Sequence, residues 1–419
     1  MAATAMRALG ALLACVFALS AAPAAAADGQ PPVQVRETEE GAIFTNSAGM
    51  TLYVFALENA TPGKSKCYDK RYTIQSGRQF GTIPLPAPDT RKTCVQKWPP
   101  FLAAEDAKAS GDWSLIVREG GARQWAYQGH LLYTSIKDRK PGDVNGEAIN
   151  ERERSAWMAA MAPLDFPPGF KLLRREEGLV LATADGRPAY VRRGGRLQRT
   201  SSQFSELLQP IAAPSFGRIS GKWGIVDAGG LKQYAFNGEP LYVLPDGYTD
   251  ADVENEGGWA TAVYRRATPI PPQIHTRTTI VGKIYTTENG MSLYSFSCLE
   301  SGAPDYLSCD DPGDAAVYWS ALCGDAKECS RRWRPYRPTA NARPSGEWTI
   351  QEVSDPLFID PAGATALPGT PKVKVWAYRG RPMYTFVDDD EPGQILGHDI
   401  NYFARSSFTA VRVPGPGLY

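Results

Sequence analysis

Apolar residues crowd both sides of a short turn at three places in this chain. The first is Trp125-Ala126-Tyr127-x-Gly129-x-Leu131-Leu132-Tyr133, and the second is Tyr234-Ala235-Phe236-Asn237-Gly238-x-Pro240-Leu241-Tyr242. The third is Trp376-Ala377-Tyr378-x-Gly380-x-Pro382-Met383-Tyr384. Asn-Gly is the favoured pair for a two-residue type I′ turn, because both central residues need positive φ. Gln128-Gly129 and Arg379-Gly380 take the same place, so each phrase predicts a β-hairpin. Counting outward from Gln128-Gly129 sets Trp125 opposite Leu132 on one face and Ala126 opposite Leu131 on the other. Both faces are apolar, as in strands covered on two sides, whereas a single sheet facing water alternates cleanly. Each phrase follows a Ser-Gly-x-Trp entry: Ser110 to Trp113, Ser220 to Trp223 and Ser345 to Trp348.

A second apolar phrase precedes each hairpin. Gly49-Met50-Thr51-Leu52-Tyr53-Val54-Phe55 is echoed by Gly290-Met291-Ser292-Leu293-Tyr294-Ser295-Phe296, with a worn form at Gly186-Arg187-Pro188-Ala189-Tyr190. Proline-rich seams follow, at Pro163, Pro167 and Pro168 and again from Pro269 to Gln273. Proline lacks the amide that a strand ladder needs, so these runs read as linkers. The pattern predicts an all-β chain, a tandem repeat of small antiparallel β-sandwich or barrel modules at 28–161, 171–266 and 276–419. A propeller-like ring of six half-units is the alternative. The clustering of prolines between modules, and not between half-units, favours the first.

Residues 1–27 read as a signal peptide. Arg7 supplies the positive start, Ala8 to Phe17 the apolar run, and Ala25-Ala26-Ala27 the small-residue cleavage site. That run is shorter than the roughly 20 residues that cross a bilayer, so no transmembrane segment is expected. Leu12-Leu13-Ala14-Cys15 faintly resembles a lipoprotein cleavage box, but it leaves almost no apolar run upstream, and Cys15 reads as an ordinary residue of that run. The mature protein is therefore expected in the periplasm or secreted. Lysine plus arginine, 45 residues, equals aspartate plus glutamate, 45 residues. No basic block interleaves with aromatics, which argues against nucleic-acid binding. No motif implies a cofactor.

These phrases resemble a known family, the bacterial "secreted repeat of unknown function", described as predicted lipoproteins with a Tyr-x-aromatic-x-x-Asp motif. The residues that carry the resemblance are Gly49 to Phe55, Cys94 to Pro100 with Trp98-Pro99-Pro100, and Ala377 to Tyr384. The motif is complete at Tyr384, Phe386 and Asp389. Its acidic end falls on Glu58 after Tyr53 and on Asp138 after Tyr133, where Ser135 replaces the aromatic. The resemblance touches all three modules, most strongly the outer two, and implies no activity. The chain departs from the family in its weak cleavage box, its expanded cysteine loops and its degenerate middle module.

Beyond Cys15 the chain has six cysteines, an even number that in an exported protein argues for disulfides. The middle module has none, so Cys67 is expected to close on Cys94. Cys94 and Cys329 both stand four residues before a tryptophan, Trp98 and Trp333. By that correspondence Cys309 should pair with Cys329, leaving Cys298 for Cys323. Metal or redox Cys-x-x-Cys motifs are lacking.

Few residues suggest chemistry. Of three histidines, His130 holds the variable place after the hairpin glycine and His275 lies beside a linker. His398, with Asp388 and Asp389 close by, is the catalytic candidate. Asp250, Asp252, Glu254 and Glu256 have the alternating spacing of oxygen ligands for calcium, although Asn255 stands where an EF-hand needs glycine. Tyr53, Phe55, Tyr294, Phe296, Tyr384 and Phe386 recur on strands, as binding surfaces or as core. The leading expectation is a cell-envelope binding or scaffold module whose partner is an envelope protein or a glycan. The alternative is an extracytoplasmic enzyme or enzyme accessory with a carboxylate/His site in the last module.

Overall fold

Three turns set the frame. Gln128 and Gly129 have φ of 49° and 83°, Asn237 and Gly238 51° and 81°, Arg379 and Gly380 47° and 72°. These are the positive pairs that a type I′ turn requires. Among the described residues, no other non-glycine residue has positive φ. The turns fix the registers beside them. Ala126 pairs with Leu131, Ala235 with Pro240 and Ala377 with Pro382. On the other side of each central strand, Trp113 pairs with Tyr127, Trp223 with Phe236 and Trp348 with Tyr378.

The computed structural model describes residues 29–39, 41–59, 61–73, 91–147, 157–192, 208–215, 219, 221–228, 230–249, 252–253, 258–298, 307–308, 312–324, 326–358, 369–398 and 407–414. The expected signal segment and Cys15 lie outside them. The protein is mostly β, in small antiparallel sheets of two to five strands. The barrel form of the expectation does not hold, because no sheet among the described residues closes on itself. Instead short strands trade partners at their ends. Phe44 N–H bonds Ala160 O, Leu52 N–H bonds Phe44 O, and Ala160 N–H bonds Leu52 O.

Two cores lie on opposite faces of these strands. In the first stretch Ile43, Tyr53, Phe55, Trp98, Leu131, Tyr133 and Trp157 form one. Ala42, Phe44, Leu52, Trp125 and Leu132 form the other. Trp125 and Leu132 thus share a face opposite to Leu131, as the turn dictates. The last stretch repeats the division, with Tyr294, Phe296, Trp333, Tyr384 and Phe408 in one core and Trp348, Trp376, Tyr378 and Met383 in the other. Rings close the first core of each: Trp98 stacks on Trp157 at 4.0 Å, and Trp333 on Phe408 at 4.4 Å.

The longest helical part among the described residues is a helical hairpin, Pro312–Cys323 and Ala326–Arg332. Pro312 suits a first helical turn because its fixed φ is already helical and its missing N–H has no partner there. Gly324, at φ 82°, ends the helix and returns its N–H to Ser320 O at 2.7 Å. Ala315, Ala316, Trp319 and Leu322 enter the core. This hairpin corrects the expected disulfides. Cys67 bonds Cys94 as expected, but Cys329 bonds Cys323, not Cys309. The turn between the helices brings the Cys323 and Cys329 Cα atoms to 5.6 Å, within ordinary disulfide reach. Cys298 is also disulfide-bonded. Its expected partner Cys323 is taken, and Cys309 lies outside the described residues.

The three stretches touch pairwise. Tyr264 donates to Glu37 at 2.8 Å and Arg265 to Thr38 O at 3.1 Å. Lys283 pairs with Glu176 at 2.7 Å, and Arg381 donates to Asn145 O at 3.1 Å.

Candidate functional site

Two buried tyrosines meet two buried carboxylates in matching geometry. Tyr53 begins the strand Tyr53–Phe55, and its hydroxyl donates to Asp138 Oδ2 at 2.8 Å. The other carboxylate oxygen accepts Asn145 N–H at 2.9 Å, and Gly146 N–H donates to the Tyr53 oxygen at 3.1 Å. In the last stretch Tyr294 donates to Asp389 Oδ2 at 2.6 Å. Asp389 Oδ1 accepts Leu396 N–H at 2.9 Å, and Gly397 N–H reaches the Tyr294 oxygen at 3.3 Å. Each carboxylate therefore pins both ends of its own loop to a core tyrosine.

The loops match in finer detail. Gly142 N–H bonds Gly49 O at 3.1 Å, and Gly393 N–H bonds Gly290 O at 3.0 Å. Thr51 donates to Asp143 O at 2.6 Å, and Ser292 to Gln394 O. Gly146 and Gly397 are glycine for lack of room. A Cβ on Gly146 would sit 2.6 Å from the Tyr53 ring, and one on Gly397 2.8 Å from the Phe386 ring. The signal for this loop is in the sequence, as Asp138-x-x-Pro141-Gly142-x-x-x-Gly146 and Asp389-x-x-Pro392-Gly393-x-x-x-Gly397. Reading the acidic runs only as charge misses it.

Residues 114–161 match the family model of the secreted repeat of unknown function. No curated protein and no solved structure matches the chain. The matched segment runs from the hairpin strand through Tyr133 and the Asp138 loop to Met161, beyond the strand Trp157–Ala159. The matched segment thus contains Asp138, the carboxylate half of the first tyrosine–carboxylate pair, and Tyr53 reaches it from outside the matched residues.

Burial is the main force on these groups. It raises the Asp138 carboxyl to about 7, against the bonds from Tyr53 and Asn145. Asp389 is raised for the same reason, again against the bonds from Tyr294 and Leu396. Both tyrosines are pushed up by burial and by the nearby carboxylate. Glu58, the acidic end after Tyr53, accepts instead from Tyr133 at 2.8 Å and from Lys66 N–H at 2.7 Å.

The remaining candidates are placed as follows. His398 is on the Asp389 loop, and its Nδ1 accepts Ala410 N–H at 3.1 Å, tying the loop to the strand Ser407–Ala410. Asp388 is exposed and faces Arg332 at 3.4 Å. Asp389 and His398 share a loop but hold different elements. Tyr53, Phe55, Tyr294, Phe296, Tyr384 and Phe386 are all buried, none more than 5% exposed, so none offers a face to a ligand. Asp252 accepts the Thr249 N–H at 2.6 Å and its hydroxyl at 2.8 Å. Asp250, Glu254 and Glu256 lie outside the described residues. No helix among the described residues is long and apolar enough to cross a membrane.

A second charged locus joins the stretches. Glu347 pairs with Arg379 at 2.9 Å and with Arg174 at 3.0 Å, and it accepts from Tyr378 at 2.9 Å. Burial alone would raise its carboxyl, but Arg379 and Arg174 overcome it and hold the group below its ordinary range. Glu147, from the first stretch, is buried beside Arg379 and accepts Ala159 N–H at 2.6 Å. Its carboxyl is raised, because burial outweighs the pull of Arg379.

Proposed function

We propose that the protein is an exported, cell-envelope binding or scaffold module built from three copies of one β unit, at 28–161, 171–266 and 276–419. One observation carries this reading. The residues that recur between the first and last stretches, Tyr53 with Asp138 and Tyr294 with Asp389, are spent on holding loops to cores. A rigid frame of this kind carries variable segments between its strands, and such segments are where binding residues concentrate. The description of the family as secreted supports export. The partner would be an envelope protein or a glycan.

The test is capture. The mature chain, immobilised and challenged with cell-envelope extract, should retain a component that excess free protein competes away. If nothing is retained, and extract constituents are instead chemically converted by the protein, the enzyme reading replaces this one.

A further inference from the structure

Three Asn-Gly pairs occur in the chain, Asn145-Gly146, Asn237-Gly238 and Asn289-Gly290. Such a pair carries a chemistry of its own, because glycine has no side chain to shield its amide nitrogen. That nitrogen can attack the Cγ of the asparagine before it. By sequence the three pairs are alike, and the fold makes them different.

Two of the pairs are held. Gly146 is buried, and its N–H donates to the Tyr53 oxygen at 3.1 Å. Asn145 Nδ2 donates to Lys137 O at 3.1 Å, and Asn145 N–H donates to Asp138 at 2.9 Å. A Cβ on Gly146 would lie 2.6 Å from the Tyr53 ring, so its nitrogen has little room to swing. Gly290 N–H donates to Thr287 O at 2.9 Å, and a Cβ there would lie 2.8 Å from Pro392. Asn237 and Gly238 are both exposed, at the turn between strands Leu231–Phe236 and Glu239–Pro240. Among the described residues nothing binds the Asn237 side chain or accepts the Gly238 N–H. A Cβ on Gly238 would meet no atom within 4 Å. Asn237 sits at φ 51°, in a left-handed region that asparagine visits singly and can therefore leave. Rotation out of that region is what carries the Gly238 nitrogen to Cγ. The matching turns hold Gln128 and Arg379, whose side chains do not close the same ring.

We propose that Asn237 is a self-modification site, where the folded chain turns an amide into a carboxylate while Asn145 and Asn289 stay intact. The Gly238 nitrogen bonds to Asn237 Cγ, the Cγ–Nδ2 bond breaks, and the nitrogen's proton leaves with ammonia. Water then opens the cyclic imide at either carbonyl, giving aspartate or isoaspartate. Isoaspartate routes the main chain through the former side chain, which lengthens a two-residue turn by one carbon. The pairing of Phe236 with Glu239 loses its geometry there.

The test is incubation of the full mature chain in mildly alkaline buffer, then proteolysis and mass-spectrometric reading of all three sites. Reaction at the other two waits on breaking a hydrogen bond, so Asn237 should convert at least about tenfold faster. In a parallel sample, reduced and unfolded in guanidinium chloride, the three should convert at closely similar rates. Folded Asn237→Gln should lose the fast conversion and leave Asn145 and Asn289 as they were. No conversion at Asn237 in the folded chain, or conversion no faster than at Asn145 and Asn289, overturns the proposal. The same preference for Asn237 in the unfolded chain also overturns it, since the fold would then not be the cause.

Discussion

A carboxylate that is costly to bury is placed where each of its two oxygens holds a partner, the tyrosine hydroxyl on one and a loop N–H on the other. Asp138 shows the consequence for pH. Its folded-state carboxyl titrates near 7, above the roughly 3.9 of an unfolded aspartate. The native state therefore binds the proton more tightly, and this group's contribution is full below about pH 4 and is lost as pH rises through about 7. Urea unfolding between pH 4.5 and 7.5 should show a midpoint that falls with rising pH, and Asp138→Asn should flatten that fall. Gly146→Ala is expected to lower stability by about 1–3 kcal/mol, since overpacking forces the Tyr53 and Trp98 rings to shift. A thermal melt checks it. At this scale the sequence was partly legible. Family resemblance marked Asp138 and Asp389 as special, yet their tyrosine partners came from strands 85 and 95 residues away, a pairing that only the folded chain reveals.

Elements followed the local pattern where local chemistry decides, and departed where distant packing does. The hairpins were readable because a type I′ turn needs positive φ at two adjacent residues, and few pairs tolerate it. Asn237→Ala should therefore cost about 1 kcal/mol, the usual penalty for an ordinary side chain in the left-handed region, measurable by urea unfolding. The helical hairpin was not readable. The two helices carry Cys323 and Cys329, and their alanines and aromatics gained a helical partner only through the core of Phe296, Trp333 and Phe408. The repeat correspondence of Cys94 with Cys329 was sound for the adjoining tryptophans but not for the bond. Peptide mapping of the unreduced protein should yield Cys323 linked to Cys329; a Cys309–Cys329 peptide would refute the helical hairpin as described.

Across the whole molecule, Arg379 does two jobs. It occupies the left-handed position of a hairpin turn, and it is the buried cation between Glu347 and Glu147. Removing one partner of a buried ion pair leaves an uncompensated charge and typically costs about 3–5 kcal/mol. Arg379→Met should show a loss of that order in urea unfolding, and Glu347→Gln combined with it should recover part. Nothing in the sequence joined these residues, which are 232 positions apart at their widest (Glu147 to Arg379). The recurring tyrosine–carboxylate pairs are framework. Equilibrium urea unfolding of Tyr294→Phe tests this most directly. The loss of its hydroxyl strands the Asp389 carboxylate and the Gly397 N–H, so stability should fall by about 1–3 kcal/mol; unfolding unchanged from wild type would contradict the account.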